Sequence, residues 1–146
     1  MADKYILLVE DNPDEVVLTK LAFDISKISI RLVVARDGQE ALDFLFGRDG
    51  YSVREQSEQP SLILLDLNLP LVSGFEVLRL VRTENNISEI PVVVLTSSNE
   101  ERDRFESIRL GANEYIRKPI GLYEFAKVVS ELVPRWVDSD DSKPQK

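Results

Sequence analysis

Neither cysteine nor histidine occurs among the 146 residues. Without thiols there is no disulfide and no thiol nucleophile. Without imidazole there is no Ser-His catalysis, no histidine metal site and no phosphohistidine on this chain. Long apolar runs are missing too: the run that follows Met1-Ala2-Asp3-Lys4, from Tyr5 to Val9, is too short for a signal peptide or a membrane span. Basic residues are the minority, 18 against 26 acidic, and a net charge of -8 repels nucleic-acid phosphates and anionic membranes. The expectation is a cytoplasmic protein that binds neither nucleic acid nor membrane.

What is present is an ordinary globular composition, 43% hydrophobic and 30% charged, at a length that fits one domain with a full core. Buried-strand runs alternate strictly with helical patterns. Strands are expected at Tyr5 to Val9, Ile28 to Ala35, Ser61 to Leu65, Pro91 to Leu95 and around Tyr115-Ile116. Helices are expected from Pro13 with Leu18, Leu21, Ala22 and Ile25 inward, from about Asp37 to Phe46 on Ala41, Leu42 and Leu45, and from Gly74 to about Thr83 on Phe75, Leu78 and Val81. A fourth helix should bury Phe105 and Ile108 and stop at Gly111, and a fifth should run from Leu122 to Val133. Asn12 with Glu15, and Ser98 with Glu101, have the spacing of capping boxes. Gly47 to Pro60 reads as an exposed loop with Tyr51 as an anchor, and Asp138 to Lys146 as a disordered tail. Five strand-helix pairs in alternation build an α/β, doubly wound, five-stranded parallel sheet of order 2-1-3-4-5, with helices on both faces. The domain is taken as residues 1–134, and 135–146 as a tail.

In such sheets ligands bind outside the carboxyl ends of the strands. Four of those ends carry polar residues: Glu10-Asp11, Asp66, Thr96 and Lys118. Three of them have an ordinary alternative, since Asp66 could cap a turn, Thr96 could open a helix and Lys118 could be a solvated lysine. Three carboxylates in one crevice repel each other unless a cation joins them, and Mg²⁺ is the hard divalent ion held by one or two carboxylates and a phosphate. Asp11 and Asp66 can ligate directly, and Glu10 through water. A strand-end aspartate beside Mg²⁺ can accept a phosphoryl group, with a cation and a hydroxyl to balance the oxygens.

Glu10-Asp11, Asp66 with Asn68 and Pro70, Thr96, and Lys118-Pro119 together resemble the receiver domain of two-component response regulators, over roughly residues 4 to 134. The resemblance implies Asp66 as phosphoacceptor, Glu10 and Asp11 as the acidic pair for Mg²⁺, and Asn68 as the donor of a backbone carbonyl to the metal. It further implies that Lys118 pairs with the phosphoryl group, that Thr96 is the switch hydroxyl, that Tyr115 is the aromatic whose rotamer follows it, and that the Lys118-Pro119 bond is cis. The loop before Ser61 resembles that of small stand-alone regulators partnered with bacterial, especially cyanobacterial, phytochrome histidine kinases. The chain ends soon after the fifth helix, so signalling is expected through contacts of the receiver itself.

The resulting reading is a phosphoacceptor signalling protein that catalyses only its own phosphorylation and dephosphorylation. A partner kinase's phosphohistidine docks over the first helix and the Pro119-Ile120 loop, and the small Ser97 leaves access to Asp66 open. Glu106, Arg109, Glu114 and Arg117 mix both signs on the face of the fourth helix and fifth strand, which suits a homodimer. Trp136 is expected to cover the core beside the last helix. A Mg²⁺-dependent phosphohydrolase would want a second aspartate where Asn68 stands. A receiver-shaped interaction module without phosphotransfer is the alternative.

Overall fold

Strands buried on both faces need no polar alternation, and β1 (Tyr5–Val9), β3 (Leu62–Leu65) and β4 (Val92–Thr96) are buried at every position. With β2 (Arg31–Ala35) and β5 (Glu114–Arg117) they form one parallel sheet of order β2-β1-β3-β4-β5, the order expected. The computed structural model describes residues 4–48, 50, 58–84 and 87–137. The loop anchor Tyr51 and the tail from Asp138 lie outside the described residues. No helix among them is long and apolar enough to cross a membrane.

Among the described residues five helices complete the fold: α1 (Pro13–Ile25), α2 (Gly38–Phe46), α3 (Gly74–Val81), α4 (Glu101–Arg109) and α5 (Leu122–Trp136). They sandwich the sheet between two cores. Leu7, Val9, Ile63, Leu65, Val92 and Val94 pack with α2 and α3 on one face. Ile6, Leu8, Leu62, Leu64, Val93 and Leu95 pack with α1 and α5 on the other.

Several boundaries and faces differ from expectation. β2 starts at Arg31, after Ile28 and Ile30 have packed against the α1/α5 core as flanking residues. α1 buries Val16, Thr19, Ala22 and Phe23, and leaves Leu21 and Ile25 exposed. Thr19 can occupy an inward position because its hydroxyl donates to the Glu15 carbonyl at 2.8 Å, so the helix turns a different stripe inward. The rotation of α4 is the larger correction. Phe105 and Ile108 are 70% and 48% exposed, and Ser107 is the helix's buried residue, its hydroxyl satisfied by the Asp103 carbonyl. An apolar stripe marks a face that avoids water, and it does not say whether this chain or another supplies the cover.

Neither capping box closes. Asn12 Oδ1 does accept from the Asp14 amide at 2.9 Å, but Glu15 reaches elsewhere. The Ser98 hydroxyl bonds Asp103 at 2.6 Å and accepts from the Glu100 amide, while Glu100 takes the N-cap position without a side-chain capping bond. α5 runs through Pro134 to Trp136, three residues past the expected stop and beyond the expected domain end. Proline removes one amide, but the Ser130 turn it would have bonded faces water. Glu114 on β5 then holds the last turn, accepting from Trp136 Nε1 at 2.7 Å and pairing with Arg135. Trp136 covers the α1/α5 core, as expected. All described peptide bonds are trans, including Lys118-Pro119, where the resemblance implied cis. Trans is the lower-energy isomer of an Xaa-Pro bond.

Candidate functional site

The parallel register carries β1 and β3 to a common edge, with Val9 opposite Leu65, so Glu10 and Asp66 leave the sheet side by side. Backbone bonds fix both: the Glu10 amide donates to the Ala35 carbonyl at 3.0 Å, and the Asp66 amide to the Val9 carbonyl at 3.1 Å. Asp11 follows at the start of the turn into α1. Carboxylate oxygens of Glu10, Asp11 and Asp66 all lie within 4.8 Å of one another.

Behind Asp66 the chain must turn at once into α3. The Gly74 amide closes that turn on the Leu67 carbonyl at 3.1 Å. A Cβ on Gly74 would stand 2.4 Å from the Asp66 carbonyl oxygen and 2.7 Å from Leu67 Cα, so only glycine lets α3 start this close beneath the aspartate. Leu71, in the same loop, has φ 69 and is 81% exposed.

β5 delivers Lys118 from the far side, its amide bonded to the Thr96 carbonyl at 2.7 Å. The Lys118 ammonium donates to Glu10 Oε1 at 2.6 Å and to Glu15 Oε1 at 3.3 Å. Glu10 Oε2 accepts from the Asn12 amide at 3.2 Å. Both oxygens of Glu10 therefore have partners within the chain, which leaves Asp11 and Asp66 as the freer carboxylates.

The electrostatics follow from burial. Glu10 is 2% exposed, and its desolvation pushes the carboxyl above its ordinary range, aided by the charge of Asp66 and opposed by the Lys118 bond. For Lys118 burial works to lower the ammonium's pKa, but the bond to Glu10 and the charges of Glu10, Asp66 and Glu15 outweigh it and raise the value.

These groups line one open cleft of 460 Å³, together with Asn68, Ser97, Pro119 and Ile120. Asn68 is exposed, and its amide reaches Asp66 Oδ1 at 3.4 Å. Ser97 is exposed and lines the cleft. Thr96 and Tyr115 stand apart from the cleft wall. Thr96 is completely buried, with its hydroxyl accepting from the Ser98 amide at 3.3 Å, and Tyr115 Oη donates to the Ser98 carbonyl at 2.9 Å. Both side chains thus meet the same short segment, Ser97-Ser98, which joins the cleft to α4. Glu15 is the cleft residue whose contact with Lys118 the sequence did not disclose, because its spacing from Asn12 satisfied a capping pattern.

The donor set is wholly oxygen and carries three acidic groups beside one lysine. It fits a hard divalent cation such as Mg²⁺ or Mn²⁺, and it has no nitrogen or sulfur donor for a softer one. The charges expected to form a dimer surface are largely used inside the chain. Glu106 pairs with Arg109 one helical turn away, and Glu114 with Arg135 and Trp136.

Comparison with known proteins adds the relatives of this arrangement. The profile of the response regulator receiver domain matches residues 6–130. Response regulator Rcp1 of Synechocystis sp. is 39% identical over 136 residues, covering 93% of this chain and 90% of its own. The Mn²⁺-bound form of Rcp1 superposes with a TM-score of 0.79 over 94% of this chain and 96% of that one, at 37% identity. The phosphorylated cyanobacterial phytochrome response regulator RcpA superposes with a TM-score of 0.84, at 37% identity, over 95% of this chain and 97% of its own. The receiver domain of the sensor histidine kinase PA1611 from Pseudomonas aeruginosa, solved with magnesium in its active-site cleft, has a TM-score of 0.71 at 26% identity, over 92% and 98% of the two chains.

Proposed function

This chain belongs to the response regulator receiver-domain family, and on that premise we propose that it accepts a phosphoryl group on Asp66 from the phosphohistidine of a partner kinase. The observation that carries the reading is the convergence of Glu10, Asp11 and Asp66 within 4.8 Å beside the Lys118 ammonium. Glu10, Asp11, Asp66 and the backbone carbonyl of Asn68 would hold Mg²⁺, which when bound neutralises charge on the transferring phosphoryl oxygens.

Asp66 is the nucleophile. One of its carboxylate oxygens forms the new O–P bond as the donor's P–N bond breaks, and the electron pair returns to the partner's imidazole. Lys118 supplies positive charge to the phosphoryl oxygens from a side chain only 10% exposed. Ser97 leaves the approach open. Val17, Leu21 and Ile120 are exposed apolar residues on α1 and the loop after Lys118, and they offer the kinase a docking surface. Likeness to the cyanobacterial phytochrome response regulator RcpA favours a phytochrome-type sensor kinase as the donor.

The dianionic product then draws Thr96 and Lys118 toward it. Movement of Thr96 disturbs the Ser98 segment that Tyr115 also grips, and so passes to the face of α4, β5 and α5. Phe105 and Ile108 on that face, uncovered in the single chain, are the contacts of a phosphorylation-linked homodimer. Incubation with a small phosphodonor and Mg²⁺, followed by mapping of the phosphate, tests the reading. Label confined to Asp66 supports it, and label elsewhere overturns it.

A further inference from the structure

We propose that Glu15 is a positioning residue that tethers Lys118 to α1 in the resting chain and competes with the phosphoryl group for its ammonium. The inference rests on Asp66 being the phosphoacceptor.

Glu15 sits in the first turn of α1, where its spacing from Asn12 suits a capping role. The carboxylate instead enters the cleft and accepts from Lys118 Nζ at 3.3 Å. An ammonium has three donors. Glu10 takes one at 2.6 Å and Glu15 another, and among the described residues these are the ion pairs Lys118 makes. Asp66 acts on Lys118 through its charge alone.

The two tethers are unequal. Glu10 is held in a buried strand end by its second bond to the Asn12 amide. Glu15 has the longer contact and a side chain 34% exposed, so it is the partner that yields. A phosphoryl group on Asp66 recruits Lys118 by drawing the ammonium off Glu15, against the attraction of that carboxylate. Glu15 therefore restrains phosphorylation, and its release leaves an unpaired carboxylate on α1 at the rim of the cleft once the reaction is complete.

The test is the rate of acid-labile phosphate formation with acetyl phosphate at saturating Mg²⁺. Glu15→Gln keeps an acceptor oxygen and a good helix former while removing the charge. It should raise the rate roughly two- to fivefold, the scale of a partly exposed ion pair. Damage to α1 would lower the rate instead. Asp14→Asn removes the same charge one residue away, on an exposed side chain, and should leave the rate unchanged. In a Lys118→Met background the Glu15→Gln gain should vanish; if that background does not fold, the Asp14 comparison decides. An unchanged or lower rate for Glu15→Gln overturns the tether, as does an equal gain from Asp14→Asn or a gain that survives without Lys118. Absence of phosphate on wild-type Asp66 overturns the phosphoacceptor reading, which separates the two failures.

Discussion

Lys118 Nζ and Glu10 Oε1 meet at 2.6 Å where both side chains are nearly out of water, 10% and 3% exposed. Removing one member of such a pair strands the other in a poor solvent, and costs more than the pair itself is worth. Lys118→Met should therefore destabilise the fold by about 3 kcal/mol in urea unfolding. The double variant Glu10→Gln with Lys118→Met should recover most of that loss. Equal losses that simply add would mean the two groups do not depend on each other.

Gly74 lies so close beneath Asp66 that a methyl group there meets backbone and not a flexible side chain. Gly74→Ala should cost roughly 1–3 kcal/mol of stability through forced backbone movement. Because the displaced atoms belong to Asp66 and Leu67, phosphorylation should slow as well. A variant with wild-type melting temperature and labelling rate would show that the turn has room to spare.

Burial holds the Glu10 carboxyl above its ordinary value of 4.5. The folded chain therefore keeps this proton to higher pH than the unfolded chain. Glu10's contribution to stability falls as pH rises from 4.5 through the raised folded value, and is constant beyond it. Lys118, raised from 10.5, contributes stability that is complete below 10.5 and is lost as pH climbs through its folded value. For the cleft, Mg²⁺ should bind more weakly as pH falls through the raised Glu10 value and the carboxyl takes up its proton. Calorimetric titration with Mg²⁺ across that range checks this, and Glu10→Gln should flatten the dependence.

Phe105 and Ile108 are exposed enough that polar replacements should not disturb folding. Phe105→Ser is expected to change stability by less than about 0.5 kcal/mol. Sedimentation of the wild type should shift to a dimer with Mg²⁺ and beryllofluoride, and Phe105→Ser should remain a monomer. A dimer undiminished by the substitution would put the interface elsewhere.

The sheet and most of the cleft were legible in the sequence because runs such as Leu62 to Leu65 carry no polar residue at all and are bounded by turn residues, the pattern of a strand buried on both faces. Where such a run ends, the next polar residue emerges at the strand's carboxyl edge, and this located Glu10 and Asp66; β5 reads Glu-Tyr-Ile-Arg and is no such run, so Lys118 was placed only as following the short Tyr115-Ile116 strand. Side-chain alliances were less legible. Glu15 fitted a capping box by spacing, but the buried Lys118 offers its carboxylate a stronger partner than a backbone amide. Thr96 was identified at its strand end, although its burial, away from the cleft wall, depends on which face of β4 it takes. The orientation of α4 could not be read from periodicity, since Phe105 and Ile108 form a stripe whether or not this chain covers them. The extension of α5 past Pro134 rests on Glu114, a contact 22 residues distant from Trp136.

Intact-mass measurement of the chain after incubation with acetyl phosphate and Mg²⁺ reads whether Asp66 takes up a phosphoryl group. One acid-labile phosphate should appear on the wild type, disappear when Mg²⁺ is chelated beforehand, and be absent from Asp66→Ala. A wild type that stays unmodified, or an Asp66→Ala variant that labels as well, would mean that Asp66 is not the phosphoacceptor.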